Sequence, residues 1–135
     1  MRRYLAIASV TFGSVELAGP RSVRLARSAV PSPARGDDQR LPSSVELIDA
    51  ALTVDLVVRD TRSAEGLAIG QQDTLEIVLA PDAADAPARA VRVEHAILSA
   101  VELYYGQSAP AEATLRFVAQ CPDGLTEPFS AEDLA

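Results

Sequence analysis

VRVEHAILSAVELYYGQSAPAEATLRFVAQCPDG, residues Val91 to Gly124, decides the fold class of this chain. Two strand-like runs flank a turn rich in Gly, Ser, Pro and Ala. Small, β-branched and aromatic residues dominate the first run. In the second, Ala113, Leu115, Phe117 and Ala119 alternate with Thr114, Arg116, Val118 and Gln120. A period of two is that of a strand with one buried face, so an antiparallel, half-buried strand is expected here. Neither run carries anything that looks like a reaction centre.

Moving towards the N-terminus, the same pattern recurs. Pro81 to Pro87 reads as a polar turn, and before it Leu75, Ile77 and Leu79 alternate with Thr74, Glu76 and Val78. Between Ile48 and Arg59 the alternation is longest: Ile48, Ala50, Leu52, Val54, Leu56 and Val58 fall on one face of a strand. Asp49, Ala51, Thr53, Asp55, Val57 and Arg59 fall on the other. A helix would scatter these apolar residues around its surface. Such a strand spans roughly 40 Å, long enough for a sheet that curves into a barrel or tube wall. Asp60 to Gly66 (DTRSAEG) predicts one short helix, with Asp60 or Ser63 as its cap. Further back, Tyr4 to Val10 and Ser22 to Val30 read as strands, the first continuing past a bend to Leu17. Ala18-Gly19-Pro20-Arg21 turns the chain between them. Pro31 to Pro42 (PSPARGDDQRLP) reads as an exposed loop, a length usually functional or disordered. About seven strands, one short helix and no βαβ rhythm predict an all-β antiparallel barrel or sandwich in a single domain, residues 1–135, with a polar tail over about 122–135.

The chain has 135 residues, all twelve basic residues are Arg, and the net charge is −7. Residues 1–40 hold seven Arg against three acids (+4), and residues 41–135 hold five against sixteen (−11). Backbone binding to nucleic acid needs clustered positive charge, so this composition argues against a DNA-binding protein. It permits a surface past which DNA slides without adhering. With few aromatics and no Trp the core is thin, and partner subunits are expected to supply part of the burial. Cys121 is the single cysteine, so no intramolecular disulfide is possible. The apolar run Leu5 to Val10 is short for a secretory leader and no segment approaches membrane-span length, so folding in a reducing cytoplasm without membrane insertion is expected.

No constellation for catalysis emerges. His95 is the only histidine, placed by strand parity with Val93 and Ile97, and reads as structural or interfacial. No second His or nearby Cys is available for a zinc site or a triad. Asp49 and Asp55 lie about 20 Å apart along one strand, too far for paired acid–base work. Asp37 and Asp38 lack the ladder of oxygen ligands a calcium loop needs. Glu76, Glu94, Glu102 and Glu112 sit at solvent-side positions. The serines offer no G-x-S-x-G elbow and the glycines no phosphate loop. Tyr104 and Tyr105 point to opposite faces, which reads as packing rather than base stacking. No catalytic residue, metal ligand or cofactor is expected.

The closing section AILSAVELYYGQSAPAEATLRFVAQCPDG resembles the end of tail tube proteins of long-tailed bacteriophages, whose fold is shared with the Hcp tube protein of type VI secretion. In order of elements the resemblance covers most of the chain. It implies a virion structural protein that forms six-membered rings. The rings stack, and their inner strands join into a hollow tube for DNA or effectors. Pro31 to Pro42 matches the loop that reaches the next ring, with Arg35, Gly36, Asp37, Asp38, Gln39 and Arg40 at its centre. Asp49, Thr53 and Asp55 are the expected lumen-facing residues, with Glu94, Glu102 or Glu112 as alternates. The implied partners are the chain itself and sheath, tape-measure, baseplate or tail-terminator proteins. DNA passes without specific binding. The implied location is the tail, assembled in a bacterial cytoplasm. A baseplate or tail-completion component and a free-standing β-barrel binding module stay open as alternatives.

Overall fold

A computed structural model describes residues 5–37, 40–41, 44–81, 87–121 and 128–134. Its elements run in the order β1 (Leu5–Phe12), β2 (Val15–Glu16), β3 (Pro20–Ala34), β4 (Ser44–Val58), α1 (Thr61–Glu65), β5 (Gln72–Pro81), β6 (Arg89–Tyr104), β7 (Glu112–Ala119) and β8 (Phe129–Asp133). All pairings are antiparallel. The strand order is β2-β1-β5-β6-β7-β4-β3, with β8 beside β6. The ends of this path do not pair, so the all-β antiparallel fold is an open, sandwich-like sheet and not a closed barrel.

The sandwich turns its corner inside β6. Arg89 to Val93 lie between β5 and β8, whereas Ala96 to Tyr104 pair with β7. Between these halves Asp73↔Ala96 is followed by Leu75↔Val93, so Glu94 and His95 together face Thr74. An extra residue of this kind is a β-bulge, and bulges are how one strand passes between two packed layers. His95 adopts a left-handed backbone (φ 54°) at this point. Strand parity therefore flips at His95: Val93 is buried, as are Ala96 and Leu98, while His95 is exposed and does not share a face with Val93.

One layer holds β2, β1, β5, the first half of β6 and β8. The other holds the second half of β6, β7, β4 and β3. Val10, Phe12, Leu75, Ile77 and Val93 from the first layer meet Leu52, Val54, Leu56, Val58, Leu98, Ala113, Leu115 and Phe117 from the second. The Phe12 and Phe117 rings, from strands not adjacent in the sheet, tilt together with centroids 4.9 Å apart. Each Val, Leu, Ile or Phe side chain buried this fully contributes about 1.5–3 kcal/mol. A one-residue slip of β4 or β7 would turn the whole set outward, and that fixes the register. Asp60 caps α1 by accepting a hydrogen bond from the Arg62 amide at 3.0 Å, and Ala64 seals the core beneath it.

Candidate assembly surfaces

β3 and β4 outrun the rest of the sheet. They pair from Pro20↔Val58 to Ala34↔Ser44, but β4 pairs with β7 only from Val58 to Thr53. Strand pairing thus continues to Ala34 and resumes at Ser44, through residues whose prolines suggested an irregular loop. Pro31 and Pro33 are tolerated because β3 is an edge strand. Beyond Ser28 and Ala51 the hairpin is a two-stranded arm reaching roughly 25 Å past the body. Its surface is apolar in places: Leu41 is 78% exposed, with Val30 and Val45 also exposed. Arg35, Gly36, Asp37 and Arg40 lie at the exposed tip, and Asp38 and Gln39 fall outside the described residues.

The register of the arm slips once, from Ser28↔Ala51 to Val30↔Ile48. Asp49 and Ala50 of β4 then face Ala29 alone, so the alternation grouping Asp49 with Thr53 and Asp55 is interrupted at Asp49. The side chain of Asp49 lies outside the described residues. Thr53 and Asp55 lie on the face of the second layer turned away from the core. Across that face run the rows Ser22–Val57–Thr114–Glu102, Arg24–Asp55–Arg116–Ala100 and Ala26–Thr53–Val118–Ile97. Asp55 therefore has an Arg opposite it on each neighbouring strand. The Arg116 Nε donates to Asp55 Oδ1 at 2.8 Å, and this carboxylate raises the Arg116 guanidinium further above its ordinary pKa. Arg21 bridges to Glu112 on the same surface. The face thus carries three Arg (21, 24 and 116) and three acids (Asp55, Glu102 and Glu112), of which Arg116–Asp55 and Arg21–Glu112 are paired. Sequence alone suggested an acidic face, whereas this one mixes charged and polar residues with Val57, Val118 and Ile97 and is charge-balanced.

On the first layer, Arg92 lies between Glu76 (Nε to Oε2, 2.8 Å) and Glu132 (3.7 Å), and the Glu76 hydrogen bond raises its pKa. Arg89 pairs with Asp133 at 2.8 Å, fastening β8. These exposed pairs are screened by solvent and add little to stability. Glu94 sits at the β6 bulge, away from Thr53 and Asp55.

Tyr104 and Tyr105 are not packed in the core: they are 56% and 61% exposed. The Tyr105 hydroxyl donates to Glu65, which holds the phenol above its usual pKa. His95 Nδ1 lies 3.1 Å from the Gln72 amide nitrogen. Among the described residues no three His, Cys, Asp or Glu are placed to hold a metal ion. No described helix is long and apolar enough to cross a membrane.

No protein-family model matches the sequence, and no curated protein matches it. Solved structures do match in fold. One is a chain from the virion of a native gene transfer agent particle, with TM-score 0.54 and 12% identity over 89% of this chain and 88% of that one. Another comes from the tail of an empty gene transfer agent particle refined with C6 symmetry, with TM-score 0.53 and 13% identity over 89% of this chain and 85% of that one. At such identity the likeness is one of fold, and it spans nearly the whole of both chains.

Proposed function

We propose that this protein is a structural subunit of a phage-like tail, assembled as six-membered rings that stack into a hollow tube. The observation that carries the reading is the near end-to-end fold match to a chain from a tail of C6 symmetry. The arm supports it. A two-stranded ribbon is marginal in water, and an arm with exposed Leu41, Val30 and Val45 is stabilised when a second copy covers it. Edge strand β3 is likewise open along its outer side, an aggregation liability that a ring removes. A heterologous contact between copies closes into rings or propagates as a filament according to its rotation, and a tube uses both.

In this reading Arg35 to Arg40 and Leu41 bridge successive rings, and the face carrying Thr53 and Asp55 lines the bore. On that face Arg116 is paired with Asp55 and Arg21 with Glu112, which lessens the cationic charge offered to a passing phosphate backbone. The role is mechanical, with DNA or effectors as passengers and sheath, tape-measure, baseplate or terminator proteins as neighbours in the tail. The tail is built in the bacterial host cytoplasm. Negative-stain imaging of the purified protein tests the proposal: rings and tubes are expected. A monodisperse monomer at high micromolar concentration, at both low and moderate salt, overturns it.

A further inference from the structure

β7 and β8 lie end to end on one edge of β6. β7 covers Ala96 to Tyr104 and β8 covers Arg89 to Val93, both antiparallel to β6. The chain leaves that edge where the Gln120 amide donates to His95 O, at 2.9 Å, and returns where Glu94 N donates to Pro128 O, also at 2.9 Å. β8 thus prolongs the line of β7, but β4 does not follow it there: β4 leaves β7 after Thr53↔Val118. The next pair of the β3–β4 hairpin is Arg27↔Leu52, at the base of the arm.

The two layers meet across this gap. Phe129, in register with Val93, ends the core-side row Phe12–Leu75–Val93–Phe129. Arg27 continues the core-side row Val23, Leu25 of the other layer, above nearly buried Leu52. The Arg27 guanidinium carbon lies 4.8 Å from the Phe129 ring centroid, a cation–π contact. Two residues further along β3, opposite Ala29, comes the β4 bulge at Asp49–Ala50, and a bulge bends the strand that carries it. Beyond it no third strand pairs with the arm among the described residues, so its direction is decided at this base.

We propose that the C-terminal strand is a brace for the arm. Phe129 is fastened to β6 by the five register pairs of β8. It holds Arg27, and so sets the direction in which the hairpin leaves the body. The brace goes beyond the tube reading and does not depend on it.

Spin-label distances in dilute, unassembled protein test it. Nitroxides are placed at Leu41→Cys on the arm and Ala100→Cys on the body of the full chain, with Cys121→Ser removing the native thiol. A narrow distance distribution is expected. It should broaden at least about twofold in Arg27→Gln and in Phe129→Leu, and no further in the double variant. Arg27→Lys, which keeps the cation, should stay narrow. An unchanged width in Arg27→Gln overturns the proposal, and so does a double variant broader than either single one. If Phe129→Leu compromises the body, exposed Arg27 decides alone. Absence of rings in every variant, the parent included, would count against the tube reading while the distances still decide the brace.

Discussion

His95 is the one described non-glycine residue with a left-handed backbone, and it sits where β6 passes between layers. Such a conformation costs a β-branched residue most, while Asn and Gly adopt it readily. His95→Val should therefore lower stability by about 1–2 kcal/mol, and His95→Gly or His95→Asn should stay within about 1 kcal/mol of the parent. Chemical denaturation checks the order, and equal effects of Val and Gly would refute the bulge argument. At Gly13 (φ 62°) a Cβ would run into the Asp73 carboxylate, so Gly13→Ala combines backbone strain with a clash. A loss of about 1–3 kcal/mol is expected from it, read from the same denaturation curves. Tyr105 bears on pH. Its phenol is held above the ordinary value of 10.0, chiefly by its hydrogen bond to Glu65. A group whose folded pKa is raised contributes stability that is present below the unfolded value and lost as pH rises through the folded one. The loss thus falls in the alkaline range above about pH 10. In a Tyr4→Phe, Tyr104→Phe background, ultraviolet titration should place the Tyr105 midpoint above that of a model phenol. Glu65→Ala should return it, and an unmoved midpoint would dismiss the contact.

At the scale of elements, the arm separates from the body by its exchange behaviour. β4 is paired on both sides over Thr53 to Val58 and buried on one face, whereas among the described residues Ser28 to Ala34 and Ser44 to Ala51 pair as strands only with each other. Local opening is easiest where few buried contacts hold the backbone. Amides of the arm should exchange quickly in the unassembled protein and slow by at least about tenfold on assembly. Fast exchange that persists in assembled material would show that the arm makes no contact between copies. Deleting Arg35 to Arg40 should leave soluble rings that do not stack, and tubes of normal length from that variant would reduce the tip to an exposed turn.

The whole molecule is asymmetric: its first 40 residues are basic and the rest strongly acidic, within a net charge of −7. Interface ion pairs are screened beyond about 8 Å at physiological salt, so assembly should weaken as salt rises if these charges steer it. Sedimentation across a salt series reads this directly. The proposed bore has its own test. With Cys121→Ser in place, Thr53→Cys should react in assembled tubes with a small maleimide but not with one carried on a large polymer. Before assembly it should react with both. Reaction of the polymer reagent with intact tubes would put Thr53 and Asp55 on the outer wall.

The alternations Leu52-Val54-Leu56-Val58 and Ala113-Leu115-Phe117 determined by themselves that these strands bury one face, and the run Asp60 to Gly66 determined that a short helix follows the first. The alternation is a local fact, written in periodicity, whereas the choice of Asp60 over Ser63 as cap came from the structure. Three further things were left to the tertiary structure. The bulges at His95 and at Asp49–Ala50 arise because β6 must serve two layers and the arm must leave one. A bulge changes which face follows without altering residue types, so parity read straight through Asp49 or His95 could not reveal it. The strand pairing of Pro31 and Pro33 was hidden because only an edge position excuses their missing amides. The neutral outer face was hidden because Arg24, Asp55 and Arg116 are far apart in sequence. Only the register of β3, β4 and β7 sets the acid between its two bases.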